Sequence, residues 1–324
     1  MTISAIVPVW NGREPLERLL GTVAAQTRPA AETVVVDNGS SDGAPEMARA
    51  AGARVIAMGR NAGFAAAVNR GIRESAGQWI AVLNTDVELA PDYFERLAEA
   101  QGWFATGKIL RMGEAGMDGA FDLLSRAGTA WRAGSGCADG PLFANRRAIF
   151  SAPWTAALFR RELFERVGYL EESFESYLED VDFGVRCAQR ELAGEYIPEA
   201  VAWHRGSATL GRLHPDTVRR MARNQVWLVA RHFAGMPLWP VVAGQALWGA
   251  VALRHGAGLA WARGKWEGMG GFGAARRKAE GQAGGPVLLE FLRRNEREIR
   301  ELQTAEGWDA YWRLYFLLTG GGAL

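Results

Sequence analysis

The first hundred residues repeat one pattern: a short β-branched run, a turn of Asn, Asp, Gly or Ser, then a helical stretch. Ile3–Val9, Thr33–Asp37, Arg54–Met58 and Trp79–Leu83 predict buried strands. Glu14–Ala25, Gly43–Ala50, Phe64–Ser75 and Asp92–Ala100 predict helices between and after them. Strands that alternate with helices build βαβ units with right-handed crossovers, so the expected fold class is α/β with a mostly parallel central sheet flanked by helices.

Ligands of such sheets bind outside the carboxyl ends of the strands. The residues there are Pro8-Val9-Trp10-Asn11-Gly12, Asp37-Asn38-Gly39-Ser40-Ser41-Asp42-Gly43, Arg60-Asn61-Ala62-Gly63 and Asn84-Thr85-Asp86-Val87-Glu88. Turn and capping chemistry accounts for any one of these loops. Four of them on one edge predict an assembled ligand site. None of these four loops is a GxxxxGK[ST] phosphate loop or a GxGxxG fingerprint, which takes support from the usual nucleotide-binding readings.

Composition narrows the field further. A chain of 324 residues has room for one large domain or two ordinary ones, and 48% hydrophobic with 23% charged residues is the balance of a globular protein. A net charge of +1 argues against a nucleic-acid partner held by bulk electrostatics. Cys137 and Cys187 lack metal-ligand spacing and are too few for a disulfide framework, which suits a reducing compartment. The opening MTISAIVPVW reads as a strand, not a signal peptide, and the expected location is the cytoplasm.

The segments VPVWNG, VVVDNGSSDG, NAGFAAAVNRGI and LNTDVEL are followed by WTAALFRRELFERVGYLEESF, YLEDVDFGVRCAQR and YIPEAVAWHRGSAT. In this order and spacing the chain resembles the inverting family-2 glycosyltransferases of the GT-A fold, in their rhamnosyltransferase-like branch, over roughly residues 3–230. The resemblance implies a GT-A catalytic domain over 1–215, its nucleotide-binding half 1–100 and its acceptor half 101–215. A helical C-terminal region follows over 216–324. It implies transfer of a sugar, with rhamnose the family-weighted choice, from a dTDP, UDP or GDP donor to a glycan or lipid-linked acceptor.

Residue by residue, the resemblance assigns Asp37, with Asn38 beside it, to the nucleoside, and Pro8, Trp10 and Asn11 to the neighbouring wall. Arg60 and Asn61 approach the nucleotide, although Asn61, like Asn69, suits loop bridging equally well. Asn84-Thr85-Asp86 stands where the family has Asp-x-Asp. Asp86 is the hard oxygen ligand for Mg²⁺ or Mn²⁺, and the departure at Asn84 turns that residue toward the ribose or a metal-bound water. A lone histidine is more often structural, but the resemblance makes His204, after an apparent strand Glu195–Pro198 and a short turn, a second metal ligand. Arg205, Ser207 and Thr209 then form a flap toward the diphosphate.

In SYLEDVDFGVR, Ser176 and Glu179 fit a capping box, and Leu178, Val181, Val185 and Ala188 recur at helical spacing. Asp182 is left open. Asp180 fits neither pattern, and the resemblance makes it the general base, with Glu179 either capping or orienting the acceptor. Trp154 precedes Thr155-Ala156-Ala157, a departure from the family's Gly-Ala pair; it reads as a sugar-stacking ring or as a core aromatic.

Toward the C-terminus, His232–Leu253 lacks Asp, Glu, Lys and Arg, but Pro237 and Pro240 break it and it is too short to span a bilayer. Trp239, Trp248, Trp261 and Trp266 lie among Arg254, Arg263 and Lys265. That mixture suits a helix in the membrane interface, here the inner face of the cell membrane, and equally a helix packed on the catalytic domain or a homodimer partner. Gly268–Gly285 reads as a connector carrying Arg276-Arg277-Lys278. Val287–Gln303 reads as an amphipathic helix, and Trp308–Leu318 as an aromatic end segment. Two rival functions stand beside glycosyl transfer. A nucleotidyltransferase would want a basic glycine-rich loop after the first strand. A non-catalytic sugar-nucleotide-binding partner of another transferase would have no need of both Asp86 and Asp180.

Overall fold

The structure is a computed structural model that describes residues 1–206, 213–279 and 285–320. The chain divides into two compact units. One comprises Met1–Phe121 and the chain from Gly134 through the last long strand; the other comprises Asp122–Ala133 and the helices after it. A single cut at residue 215 does not capture this, because the 122–133 segment groups with the helices.

The first unit opens with β1 (Ile3–Val9), α1 (Arg13–Ala24), β2 (Glu32–Asp37), α2 (Ala44–Ala50), β3 (Arg54–Ala57), α3 (Phe64–Glu74) and β4 (Trp79–Leu83). The predicted alternation is therefore present, with boundaries moved by a residue or two. Leu16, Leu19, Leu20 and Val23 of α1 sit at helical spacing and bury against Ile3, Ala5, Val7 and Val9, the alternate residues of β1. Each such leucine or valine contributes about 1.5–3 kcal/mol. Then follow β5 (Val87–Leu89), α4 (Tyr93–Leu97), β6 (Phe104–Arg111) and β7 (Met117–Gly119).

The short strands β8 (Asp122–Leu124) and β9 (Ala130–Arg132) form a separate hairpin in the second unit. The first unit resumes with β10 (Arg147–Ile149), β11 (Ala156–Arg160), α5 (Arg161–Val167), α6 (Glu179–Ala188) and β12 (Gly194–His204).

Among the described residues, ten strands make one mixed sheet ordered β10-β12-β6-β11-β4-β1-β2-β3, with β5 on β12 and β7 on β6. β1 pairs parallel with β2 and β4, β2 with β3, and β12 with β6. β11 is antiparallel to both β4 and β6, so β6 and β12 point the same way as the first four strands. Six strands thus share one direction, and their carboxyl ends share one edge. The expected mostly parallel sheet holds in that sense; the antiparallel members are β11 and the short β5, β7 and β10.

Pairing between β1 and β4 stops at Ile6–Val82, just before Pro8, which has no N–H to offer a ladder. β1 and β4 therefore part at this edge, with β2 on the other side of β1.

The second unit carries α7 (Pro215–His232), α8 (Trp239–Arg254), α9 (Gly258–Arg277), α10 (Pro286–Glu306) and α11 (Ala310–Leu318). The β8–β9 hairpin is tied to α10: Asn295 donates to the Leu124 carbonyl at 3.1 Å, and Glu296 accepts from the Arg126 backbone N–H at 2.9 Å and its guanidinium at 2.7 Å.

Two readings of this region change. Pro240 does not break a helix but lies in the first turn of α8, where its missing N–H costs nothing. The glycine-rich stretch from Gly268 to Arg277 is helix, not connector, with residues 280–284 of the predicted connector outside the described residues. Its glycines let α9 lie close on α7: a Cβ at Gly268 would fall 2.7 Å from Val226 Cβ, and at Gly271 2.5 Å from Trp227 Nε1. Glycine weakens a helix alone but permits this contact.

Candidate active site

At the carboxyl edge the loops brace one another. Asn11, in a left-handed conformation at φ 50°, donates its backbone N–H to the Ser40 hydroxyl oxygen at 2.9 Å, and its side-chain oxygen accepts from the Ser41 N–H at 2.9 Å. Asp37 is buried and accepts from the Ser40 N–H at 2.9 Å. Asn38 bridges to the next loop, donating to Asn61 Oδ1 at 3.2 Å and to the Gly63 carbonyl at 3.1 Å while accepting from the Ala62 N–H at 2.8 Å. Gly39, at φ 86°, lets these loops touch, since a Cβ there would fall 2.9 Å from Arg60 Cα. Asn11, Asn38 and Asn61 therefore shape the edge. Trp10 is 48% exposed and Arg60 is exposed; both are open to a ligand.

Asn69 is wholly structural: it is buried and exchanges hydrogen bonds with the backbone of Leu170 at 2.9 and 3.0 Å. Asp42 was not singled out in the sequence, yet it takes three backbone donors, Gly12 at 2.5 Å, Arg13 at 2.9 Å and Ala44 at 3.1 Å. Burial alone would raise its pKa, but these donors outweigh that and hold the carboxyl below its usual value. One acid thus joins the starts of α1 and α2. Its position before a predicted helix was the available signal.

Asp86 and His204 meet because β5 pairs antiparallel with the end of β12, placing Val87 opposite His204. His204 Nε2 lies 3.2 Å from Asp86 Oδ1, and the Arg205 N–H donates to the Asp86 carbonyl at 3.0 Å. The strand reaching His204 is longer than the predicted Glu195–Pro198. It continues after a register shift between Ile197 and Val201, where Pro198 interrupts the ladder, so no separating turn precedes His204.

On its other nitrogen, His204 Nδ1 stands 3.0 Å from Asp118 Oδ2, a residue of β7 that the sequence did not point to. Burial of His204 favours the neutral ring, but the two carboxylates outweigh it and push its pKa up to about 9. Asn84 and Thr85 are half-buried beside Asp86, and the Asn84 N–H donates to the Thr155 carbonyl at 2.9 Å.

Among the described residues no group of three or more His, Cys, Asp and Glu side chains is arranged as a metal cage. The Asp86–His204 pair fits a different kind of site. Mg²⁺-type ions commonly take one or two protein ligands and fill their remaining positions with phosphate oxygens and water. Ser207 and Thr209 of the expected flap lie outside the described residues.

Asp180 is the second residue of α6, half-buried, with Oδ1 accepting from the Val181 N–H at 2.8 Å. The expected capping box is not formed. The N-cap is Leu178, in left-handed conformation with no side-chain cap, and Glu179 is already the first helical residue. The chain reaches α6 through three non-glycine residues at positive φ, Glu175 at 62°, Tyr177 at 75° and Leu178 at 68°. Such conformations cost on the order of 1–3 kcal/mol each and persist only where surroundings hold them.

What holds this loop is the start of α3. The Ala65 N–H donates to the Glu175 carbonyl at 3.0 Å, and a Cβ on Gly63 would fall 2.8 Å from Glu175 Cα. The approach to Asp180 is thereby fixed to the loop that Asn38 and Asn61 organise. Asp182 is fully buried and pairs with Arg186 at 3.0 Å, while Arg186 also donates to the carbonyls of Val167 at 2.8 Å and Tyr169 at 2.9 Å. The question left open for Asp182 is answered by packing: it anchors α6 to the end of α5. Val181, Val185 and Ala188 are buried as their spacing predicts.

Trp154 is not a sugar platform. It is 3% exposed, its ring centroid 4.4 Å from Phe159 and 5.1 Å from Phe183, so its faces are spent on the core.

The sequence signature of Glycosyl transferase family 2 matches residues 4–168. The chain is 27% identical over 281 residues, covering 74% of it and 87% of the relative, to an N-acetylglucosaminyl-diphospho-decaprenol L-rhamnosyltransferase of Mycobacterium tuberculosis. Two solved structures share the fold. GalNAc-T7 with UDP, GalNAc and Mn²⁺ superposes at a TM-score of 0.62 and 13% identity, with 94% of this chain covering 58% of that one. The mannosyltransferase PcManGT of Pyrobaculum calidifontis with GDP-Man and Mn²⁺ superposes at a TM-score of 0.50 and 18% identity, covering 97% of this chain and 86% of that one.

Proposed function

The chain belongs to Glycosyl transferase family 2, and from that premise we propose that it is an inverting transferase moving a sugar from a nucleoside diphosphate to a hydroxyl of a lipid-linked glycan. The observation that carries this reading is the convergence of Asp86 and His204, 3.2 Å apart, on the edge where the nucleotide loops end. Rhamnose is the favoured sugar, because the M. tuberculosis relative named as an L-rhamnosyltransferase aligns over most of both chains.

Trp10 offers an open ring to the base, and Asp37 accepts hydrogen bonds from the ribose. Asp86 and His204 Nε2 would hold Mg²⁺ or Mn²⁺, with Asp118 taking the Nδ1–H of the ring and so fixing the tautomer. When bound there, such an ion would supply positive charge to offset that of the departing diphosphate. Arg205 follows directly and adds positive charge to the same leaving group. Asp180 receives the proton of the acceptor hydroxyl as that oxygen bonds to the anomeric carbon and the bond to the diphosphate breaks on the opposite face. Asp180 stands in the first turn of α6, where a carboxylate complements the helix dipole. Inversion follows from this single displacement.

The test is release of nucleoside diphosphate from dTDP-, UDP- and GDP-sugars, with and without Mn²⁺ and a polyprenyl-diphosphate glycan. Acceptor-dependent, metal-dependent release supports the assignment. Donor binding without turnover on any acceptor would favour the non-catalytic binding partner.

A further inference from the structure

The second unit carries apolar helix faces that none of its own described elements cover. On α8, Trp239, Val242, Ala246, Ala250 and Leu253 recur every three or four residues and all are exposed. On α9, Leu259 is 90% exposed and Trp266 82%, with Met269 further along the same side. The opposite side of α9 explains why these point outward. There Gly264, Gly268 and Gly271 press the helix onto α7, a Cβ at Gly264 falling 2.2 Å from the Arg219 carbonyl oxygen. α11, which packs on α8, exposes Leu314, Leu317 and Leu318. By contrast, α10 exposes Glu290, Arg293, Arg294, Arg297 and Glu301, the ordinary polar face of a solvated helix.

Charge selects the occupant. Between Leu238 and Ala279 the exposed charges are Arg254, Arg263, Arg276, Arg277 and Lys278, while Lys265 is turned inward onto the Ala222 carbonyl at 3.0 Å; the one acid there, Glu267, is paired with Arg219 at 2.7 Å and Arg263 at 3.0 Å. Arg263 and Arg277 stand at helical spacing with Trp266, and Arg254 closes the α8 stripe. A second copy would bring the same positive face against itself. No helix among the described residues is long and apolar enough to cross a membrane.

We propose that α8 and α9 form a docking surface for an anionic lipid bilayer, lying in the headgroup–acyl boundary with Trp266, Leu253 and Leu259 inserted and the arginines at the headgroups. This inference does not depend on the catalytic reading, and the two fail separately.

The experiment is flotation of the full chain with phosphatidylglycerol/phosphatidylcholine vesicles and with phosphatidylcholine vesicles alone. Leu253→Glu/Trp266→Glu and Arg276→Glu/Arg277→Glu are compared, all four positions being exposed, with circular dichroism as the check on folding. The expected result is flotation of the wild type with the anionic vesicles and at least a tenfold loss of partitioning in both double variants. The proposal is overturned if the wild type stays in solution, or if Leu253→Glu/Trp266→Glu floats like the wild type. It is also overturned if light scattering shows a dimer that this variant dissociates, since the face would then belong to a second copy.

Discussion

Asp118 and His204 are joined at 3.0 Å through the ring nitrogen that faces away from Asp86. On the proposed assignment, this contact sets which nitrogen would be left for a metal. Asp118→Ala is expected to weaken Mn²⁺ binding to the chain ~10–100-fold, the usual cost of losing a supporting carboxylate. Asp118→Asn, which still accepts from Nδ1–H, should stay closer to wild type. Titration of Mn²⁺ followed by electron paramagnetic resonance measures this without turnover; equal loss in both variants would mean that Asp118 supplies charge and not orientation.

His204 also predicts a pH dependence of the metal-free chain. Its folded pKa, about 9, lies above the ordinary 6.5, so the proton is bound more tightly in the folded state. The stabilisation it brings is fully present below the ordinary value and is lost as pH rises through about 9. Urea midpoints in EDTA should therefore fall more between neutral and alkaline pH for the wild type than for His204→Gln. Parallel pH profiles would show that the cluster does not hold that proton.

Asp182→Ala removes the carboxylate beside buried Arg186 and leaves the guanidinium the carbonyls of Val167 and Tyr169 and the face of the Phe183 ring. Breaking such a pair from one side costs about 3–5 kcal/mol. Chemical denaturation should show a loss of that size. A change within experimental error would mean that Arg186 is satisfied without the acid.

Trp154→Ala should cost about 3–5 kcal/mol of stability, as for other buried aromatics. Trp154→Phe, which keeps an aromatic ring in the cluster, should leave the KM for acceptor unchanged. A selective rise in that KM with stability preserved would return Trp154 to the acceptor wall.

Much of the edge was legible because its chemistry is local: a strand, then Asp37 or Asp86, is visible in any window of ten or so residues. Burial at Val181 and Val185 was visible for the same reason, through helical spacing. Asp118 was not visible, because its role comes from strand pairing; the place of Asp42 before a helix was visible, but not its reach to the Gly12 and Arg13 N–H groups in another loop. Ser176 and Glu179 mimicked a capping box, but Tyr177 and Leu178 take left-handed conformations held by Glu175 against α3, and the helix starts later. The α9 glycines misled for a related reason: their value lies in the contact with α7, which composition does not record.

The central claim is that Asp180, at the start of α6, takes the acceptor's proton. The most direct measurement is turnover of Asp180→Asn beside its binding of donor and Mn²⁺. The expected result is a fall in kcat of ~10²–10⁴-fold with donor and metal affinity preserved. Unchanged kcat, or a loss confined to donor binding, would contradict it.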